Sequence, residues 1–262
     1  MSNMLSCRVA GVDGCKKGWV VAVASVMSEG DECSFGLKRF FVARDFAEVL
    51  SETGECELVC VDIPIGLSDG GKPRECDIAA RRVLGGKRAS SVFTAPVRAC
   101  LSAGDYEAAS AISYEYSGKK LSKQSFALFE KIRQVDDLMT PALQSRVREM
   151  HPEVSFLVLN GGDAIQQYKK TVPGQACRYG LLFKIFTELD GVLAESPASG
   201  FGMDDALDAL VAAWTAGLVV GGRGRTLPDE PELDGKGLRM EIVCPDTEGP
   251  VLEQSGVQRH WW

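Results

Sequence analysis

No C-x-x-C pair occurs among the nine cysteines of this 262-residue chain, which stand at positions 7, 15, 33, 56, 60, 76, 100, 177 and 244. Their odd number and irregular spacing exclude both a disulfide framework and a tetrahedral zinc site, so they read as reduced, mostly buried thiols. Histidine is scarcer still, with only His151 and His260. Apolar runs long enough to span a bilayer are lacking, and the opening MSNMLSCRVAGVDG has no charged-then-apolar leader of secretory type. A cytoplasmic protein without membrane contact is expected. The net charge of −7 excludes a general nucleic-acid coat protein or a polybasic membrane binder, but not a local electropositive cleft. There is neither an internal repeat nor a low-complexity tract.

What is present is enough apolar material, 45% of residues, for a sizeable core. One elaborated α/β domain is expected over residues 1–245, with a polar C-terminal tail over 246–262. CRVAGVD and WVVAVASV, joined by the turn GCKKG, read as a β-hairpin, FGLKRFFVA as a third strand, and DFAEVLSE as a short helix capped near Arg44 or Asp45. ELVCVDIPIGL follows as a buried strand that Pro64 stops or bends. Three strands, a helix and a fourth strand is the opening order of a ribonuclease H-like sheet, an order that other α+β folds share. Short helical patterns separated by turn-rich segments then form an insertion over about 66–142. VREMHPEVSFLVLNG resumes strand character, GQACRYGLLFKIFTELDGVL and MDDALDALVAAWTAGLVVG are helical, and LRMEIVCP is a closing strand.

Carboxylates mark the ends of these elements. Asp13 closes the first strand at a glycine turn, where it either serves a site or bonds the turn amides. Asp62 directly follows a continuous apolar run, so its charge needs a cation or strong donors, with Arg74 or Arg81 as alternatives to metal. Glu153 shares a strand face with Glu149 and His151 and could bind metal or orient water. Asp204, Asp205 and Asp208 lie within one helix turn, where like charges repel unless a cation compensates, although either of the first two could serve the helix N-terminus. Asp208, a turn further in, is the more telling residue.

Basic residues concentrate in the insertion: between Lys72 and Arg133 there are twelve Lys and Arg against six Asp and Glu. Lys72, Arg74 and Arg81 are candidate phosphate contacts from that side, with Lys169, Lys170 and Arg178 from the other. A solvated helical surface accounts for the same residues.

The blocks GVDGCKKGWVVA, CVDIPIGLSDGGKPRECDIAARRVLGGKRASSVFTAPVRACL, EMHPEVSF and DDALDALVAAW resemble the DUF429 family of predicted ribonuclease H-like nucleases. The resemblance runs from about Val9 to about Pro245 and implies a mixed five-stranded ribonuclease H-like sheet flanked by helices, with a helical insertion and a short C-terminal extension. It implies an acidic site of Asp13, Asp62, Glu153, Asp205 and Asp208. Asp13, Asp62, Asp205 and Asp208 would bind Mg²⁺ or Mn²⁺, and Glu153 would position water, for two-metal-type hydrolysis of a nucleic acid or a smaller phosphodiester. Two other readings fit the residues. The acid-and-glycine turn GVDGCKKGW also resembles the opening of sugar-kinase and actin-like ATPases, where Asp13 would face a Mg²⁺-nucleotide. A binding protein could also keep the fold while its acids serve caps and ion pairs.

Overall fold

The computed structural model describes residues 5–29, 32–191 and 200–246. Three long strands, β1 (Leu5–Cys15), β2 (Gly18–Glu29) and β3 (Glu32–Ala43), form an antiparallel meander. The short helix α1 (Phe46–Glu52) follows, and Asp45 caps it by accepting the Glu48 amide at 2.8 Å. The chain then returns as β4 (Leu58–Val61), parallel to β1, and β5 (Val147–Glu149) adds in parallel beside β4. The five-stranded mixed order is 3-2-1-4-5, the order of a ribonuclease H-like sheet.

Both faces of the sheet are covered, which is why β1, β2 and β4 read as continuous apolar runs instead of alternating ones. Val9, Val20, Ala22 and Ala24 face α8 (Met203–Val220), together with α6 (Pro152–Leu159) and α7 (Val172–Phe183). Ala10, Val12, Trp19 and Val21 face α1 and α5 (Phe129–Leu138). There the indole of Trp19 packs at 5.2 Å on Phe46 and donates to Gln134 of α5 at 3.0 Å.

The helix α8 runs through the interior, with every residue of 206–218 buried. It can lie against β1 because Gly11 has no side chain. A Cβ there would stand 2.1 Å from both the Ala209 carbonyl oxygen and the Ala213 amide nitrogen. Strand alternation then puts Asp13, two residues on, over the same helix near Asp208.

The segment between β4 and β5 carries α2 (Glu75–Leu84), α3 (Tyr106–Ser117), α4 (Lys123–Ala127) and α5. It is divided between two parts of the fold. α2 packs with α6 and with a separate ribbon of β6 (Gly224–Leu227) and β7 (Ile242–Pro245), whereas α5 covers the far face of the sheet. β7 is the expected closing strand, and its Val243 bridges to Met150 just past β5.

One local expectation is corrected. The stretch around His151 and Pro152 is not a strand beyond Glu149: Pro152 opens α6, where its fixed φ and missing N–H suit a first helical turn, and His151 is the N-cap. All nine cysteines are free thiols, six of them buried. Among the described residues no helix is long and apolar enough to cross a membrane. Residues 247–262, which hold nearly all of the expected tail, lie outside the described residues.

Candidate functional site

Asp13, Asp62 and Asp208 converge at the C-terminal end of the central parallel strands. The Asp62 amide donates to the Val12 carbonyl at 3.0 Å, so the ladder itself sets Asp62 beside Asp13. The Asp13 carboxylate accepts the Gly14 amide at 2.8 Å and is buried. Asp208 reaches the pair from α8 and is fully buried. Its Oδ2 accepts a hydrogen bond from the Lys169 ammonium at 2.6 Å, and its Oδ1 has no partner.

The electrostatics follow from this crowding. Burial pushes the Asp13 carboxyl well above the ordinary carboxylate range; Asp62, Asp208 and Asp205 raise it further, and Lys169 pulls it back. Asp62 is pushed up to about 6, chiefly by burial, with Lys169 opposing and Glu153 adding to the rise. Asp208 is also pushed up to about 6 by burial, opposed by Lys169 and reinforced by Asp62 and Glu153. The Lys169 ammonium is held in its charged form above all by Asp208, with help from Asp13 and Asp62. Lys131 of α5 stands on the rim: its Nζ donates to the Gly18 carbonyl at 2.5 Å and lies 4.5 Å from the Trp19 ring centroid. Burial lowers its pKa, and Cys15, Asp13 and Asp205 oppose that fall.

The other acids expected here are near but engaged. Glu153, in the first turn of α6, is ion-paired with the fully buried Arg178. Asp205 closes the start of α8 by accepting the Gly202 amide at 2.9 Å, which is the capping role the sequence left open between Asp204 and Asp205. His151 accepts the Glu153 amide at 3.2 Å through Nδ1, and its Nε2 faces the Ser91 carbonyl at 3.4 Å. Burial lowers its pKa, so the ring is neutral and acts as a helix cap.

Two of the six proposed phosphate contacts point inward. Arg74 is buried, donates to Glu149 at 2.7 and 2.8 Å and to Asp77 at 2.5 Å, and also reaches the Ile65 and Gly66 carbonyls. Arg178 is committed to Glu153 and to the Gly174 carbonyl. Neither guanidinium is free to meet a phosphate. Arg81 holds the loop after α2, donating to the Val92 carbonyl at 3.0 Å and to Thr94 at 2.9 Å. Lys72 and Lys170 are exposed, with Lys170 3.8 Å from Asp204.

The block that runs from Cys60 through Arg74 and Asp77 is thereby part of a clamp. Arg74 ties α2 to the end of β5 through Glu149, Glu149 accepts the Ile65 amide at 2.7 Å, and Asp77 accepts the Ala95 amide at 3.2 Å. It fixes the loop that leaves Asp62. A small cleft lined by Asp62, Pro64, Phe93, Glu149 and His151 opens beside it.

The residue whose role sequence reasoning missed is Lys169. It lies in the loop before α7, with no periodicity to relate it to Asp208, and it registered only as a further phosphate contact. Among the described residues no three His, Cys, Asp or Glu side chains are grouped so as to hold a metal ion. The donor set at the centre nevertheless suits a hard cation. Asp13, Asp62 and Asp208 offer only carboxylate oxygens, and the partnerless, buried Asp208 Oδ1 lacks the contact that such an atom requires.

A family model described as "Protein of unknown function (DUF429)" matches residues 11–233. No curated protein and no solved structure matches the chain.

Proposed function

We infer that this chain, which belongs to the DUF429 family, is a metal-dependent hydrolase of phosphodiester bonds. The observation that carries the reading is the convergence of Asp13, Asp62 and Asp208 from two adjacent parallel strands and a crossing helix, with a buried oxygen of Asp208 left without a partner. Carboxylates raised by burial and by one another are unfavourable in isolation and become favourable when a cation joins them. Mg²⁺ or Mn²⁺ held by these three would supply Lewis acidity and a more acidic water. The chain's own contribution is positional. The ladder fixes Asp13 against Asp62, the Arg74 clamp steadies the strand exit, and Lys169 and Lys131 set positive charge beside the centre. Lys72 and Lys170 are exposed, Lys170 beside Asp204, and could approach a phosphate from solvent.

The reading is tested by hydrolysis of DNA, RNA, hybrid duplexes and small phosphodiesters with Mg²⁺ or Mn²⁺, comparing wild type with Asp13→Asn. Loss of a ligand should cost about a hundredfold or more in rate. Equal activity in the two proteins, or none on any substrate, would remove the proposal.

Metal binding should also depend on pH in a defined direction. Asp62 and Asp208 sit at about 6, above their unfolded values, so between the ordinary carboxylate range and about 6 the folded protein holds protons that the unfolded chain has lost. Their cost to stability is therefore full above about 6 and fades as pH falls. A cation must displace those protons, so the rise in melting temperature on adding Mn²⁺ should be larger at about pH 7.5 than at about pH 5.5. Differential scanning fluorimetry reads this directly, and an equal shift at both values would exclude these carboxylates as ligands.

A second reading, a non-catalytic binding protein, is favoured by the pairs Lys169–Asp208 and Arg178–Glu153, which already neutralise two of the acids. Absence of any Mn²⁺ effect on the melting temperature would select it.

A further inference from the structure

We propose that the centre takes a single divalent cation and that the Lys169 ammonium is its second positive pole. This rests on the metal-dependent reading above. Each divalent ion adds two positive charges to a buried centre, which carboxylates beside it must offset. Here Glu153 is neutralised by Arg178, and the Asp205 charge is offset by Lys131, which it faces across the rim. Three carboxylates remain, those of Asp13, Asp62 and Asp208. The Lys169 ammonium offsets one of these charges, and one divalent ion balances the other two.

The geometry divides the Asp208 carboxylate between the two cations. Oδ2 receives Lys169 at 2.6 Å, while Oδ1 on the same buried group is open. Asp208 would thus serve lysine and metal with one carboxylate. Lys169 is also a placed residue. Its loop is held on one side by Arg88, which donates to the Gln167 carbonyl at 2.7 Å, and on the other by Thr171, whose side chain caps α7. Gly174 lets that loop lie against the helix, since a Cβ there would stand 2.1 Å from the Tyr168 carbonyl oxygen. The side chain keeps 32% of its surface exposed, so it is not sealed off from solvent. A compact ammonium with three donors suits the role of a second positive pole as a point charge.

The test is calorimetric titration of Mn²⁺ into the full chain, comparing wild type, Lys169→Met and Lys169→Arg, with folding checked by circular dichroism. Wild type should bind one Mn²⁺ per chain. Removing the competing charge should tighten binding in Lys169→Met by about tenfold or more, while Lys169→Arg stays near wild type. A lysine that merely supported the fold would leave affinity unchanged or weaken it. Two ions in wild type, or no gain in affinity in a folded Lys169→Met, would overturn the inference and leave the metal reading standing. No binding by any of the three proteins would remove both. Should Lys169→Met not fold, the wild-type stoichiometry still decides.

Discussion

Gly11→Val should abolish stable folding or cost the protein about 4 kcal/mol or more, among the largest effects of any single substitution in this chain. The argument is steric. A Cβ on residue 11 would stand 2.1 Å from an oxygen and a nitrogen of the α8 backbone, and no rotamer change can move those atoms. Relief requires α8 to withdraw from β1. That breaks contacts along a helix buried throughout residues 206–218 and carries Asp208 away from Asp13. Gly14, three residues along the same strand, supplies the control. A Cβ there would meet the side chain of Lys131 at 2.6 Å, and a lysine tail can give way, losing at most its contacts with Gly18 and Trp19. Gly14→Ala should therefore cost less than about 1 kcal/mol. Urea denaturation of the two variants measures the contrast. Similar midpoints would show that helix and strand do not depend on the close approach.

Arg74→Met should destabilise the protein by about 3–5 kcal/mol, because it leaves two buried carboxylates without their cation. Asp77 and Glu149 are each almost fully buried, and Arg74 is the ion-pair partner of both. Removing the carboxylate charges as well should recover much of the loss. Arg74→Met combined with Asp77→Asn and Glu149→Gln is expected to be markedly more stable than Arg74→Met alone, a non-additivity that urea midpoints in a mutant cycle would show. Strict additivity would mean that the three groups are not one network. The clamp also holds Ile65 and Ala95, so the single variant should loosen the exit of Asp62 and weaken Mn²⁺ binding.

These two sites show where sequence patterns carry structural information and where they stop. β1 to β4 and α1 were legible because apolar runs, the turn before Gly18 and the cap at Asp45 all agree locally. Asp13 and Asp62 were legible as strand-end acids for the same reason, and Asp208 because a carboxylate inside an apolar helix face is conspicuous. The stretch around Pro152 misled, since a three-residue strand is too short to show a period and proline suits either a strand edge or a first helical turn. Arg74 and Arg178 misled for a different reason. A basic residue in a sequence gives no sign of whether it faces solvent or a buried acid, and the partners of these two, Glu149 and Glu153, are supplied by other elements. Lys169 was hidden by the same non-locality.

The sequence separation of the three acids has a consequence in time. The meander and the α1 turn join residues close in the chain, so the half of the sheet that carries Asp13 can assemble from local contacts. The third acid must be recruited across the 146 positions that separate residue 62 from residue 208, and loops of that span close late. The strands that carry Asp13 and Asp62 precede α8 in the chain and pair through their own ladder. The cluster of the three acids is therefore completed only in the last stage of folding, and on the proposed reading Mn²⁺ would report completed chains.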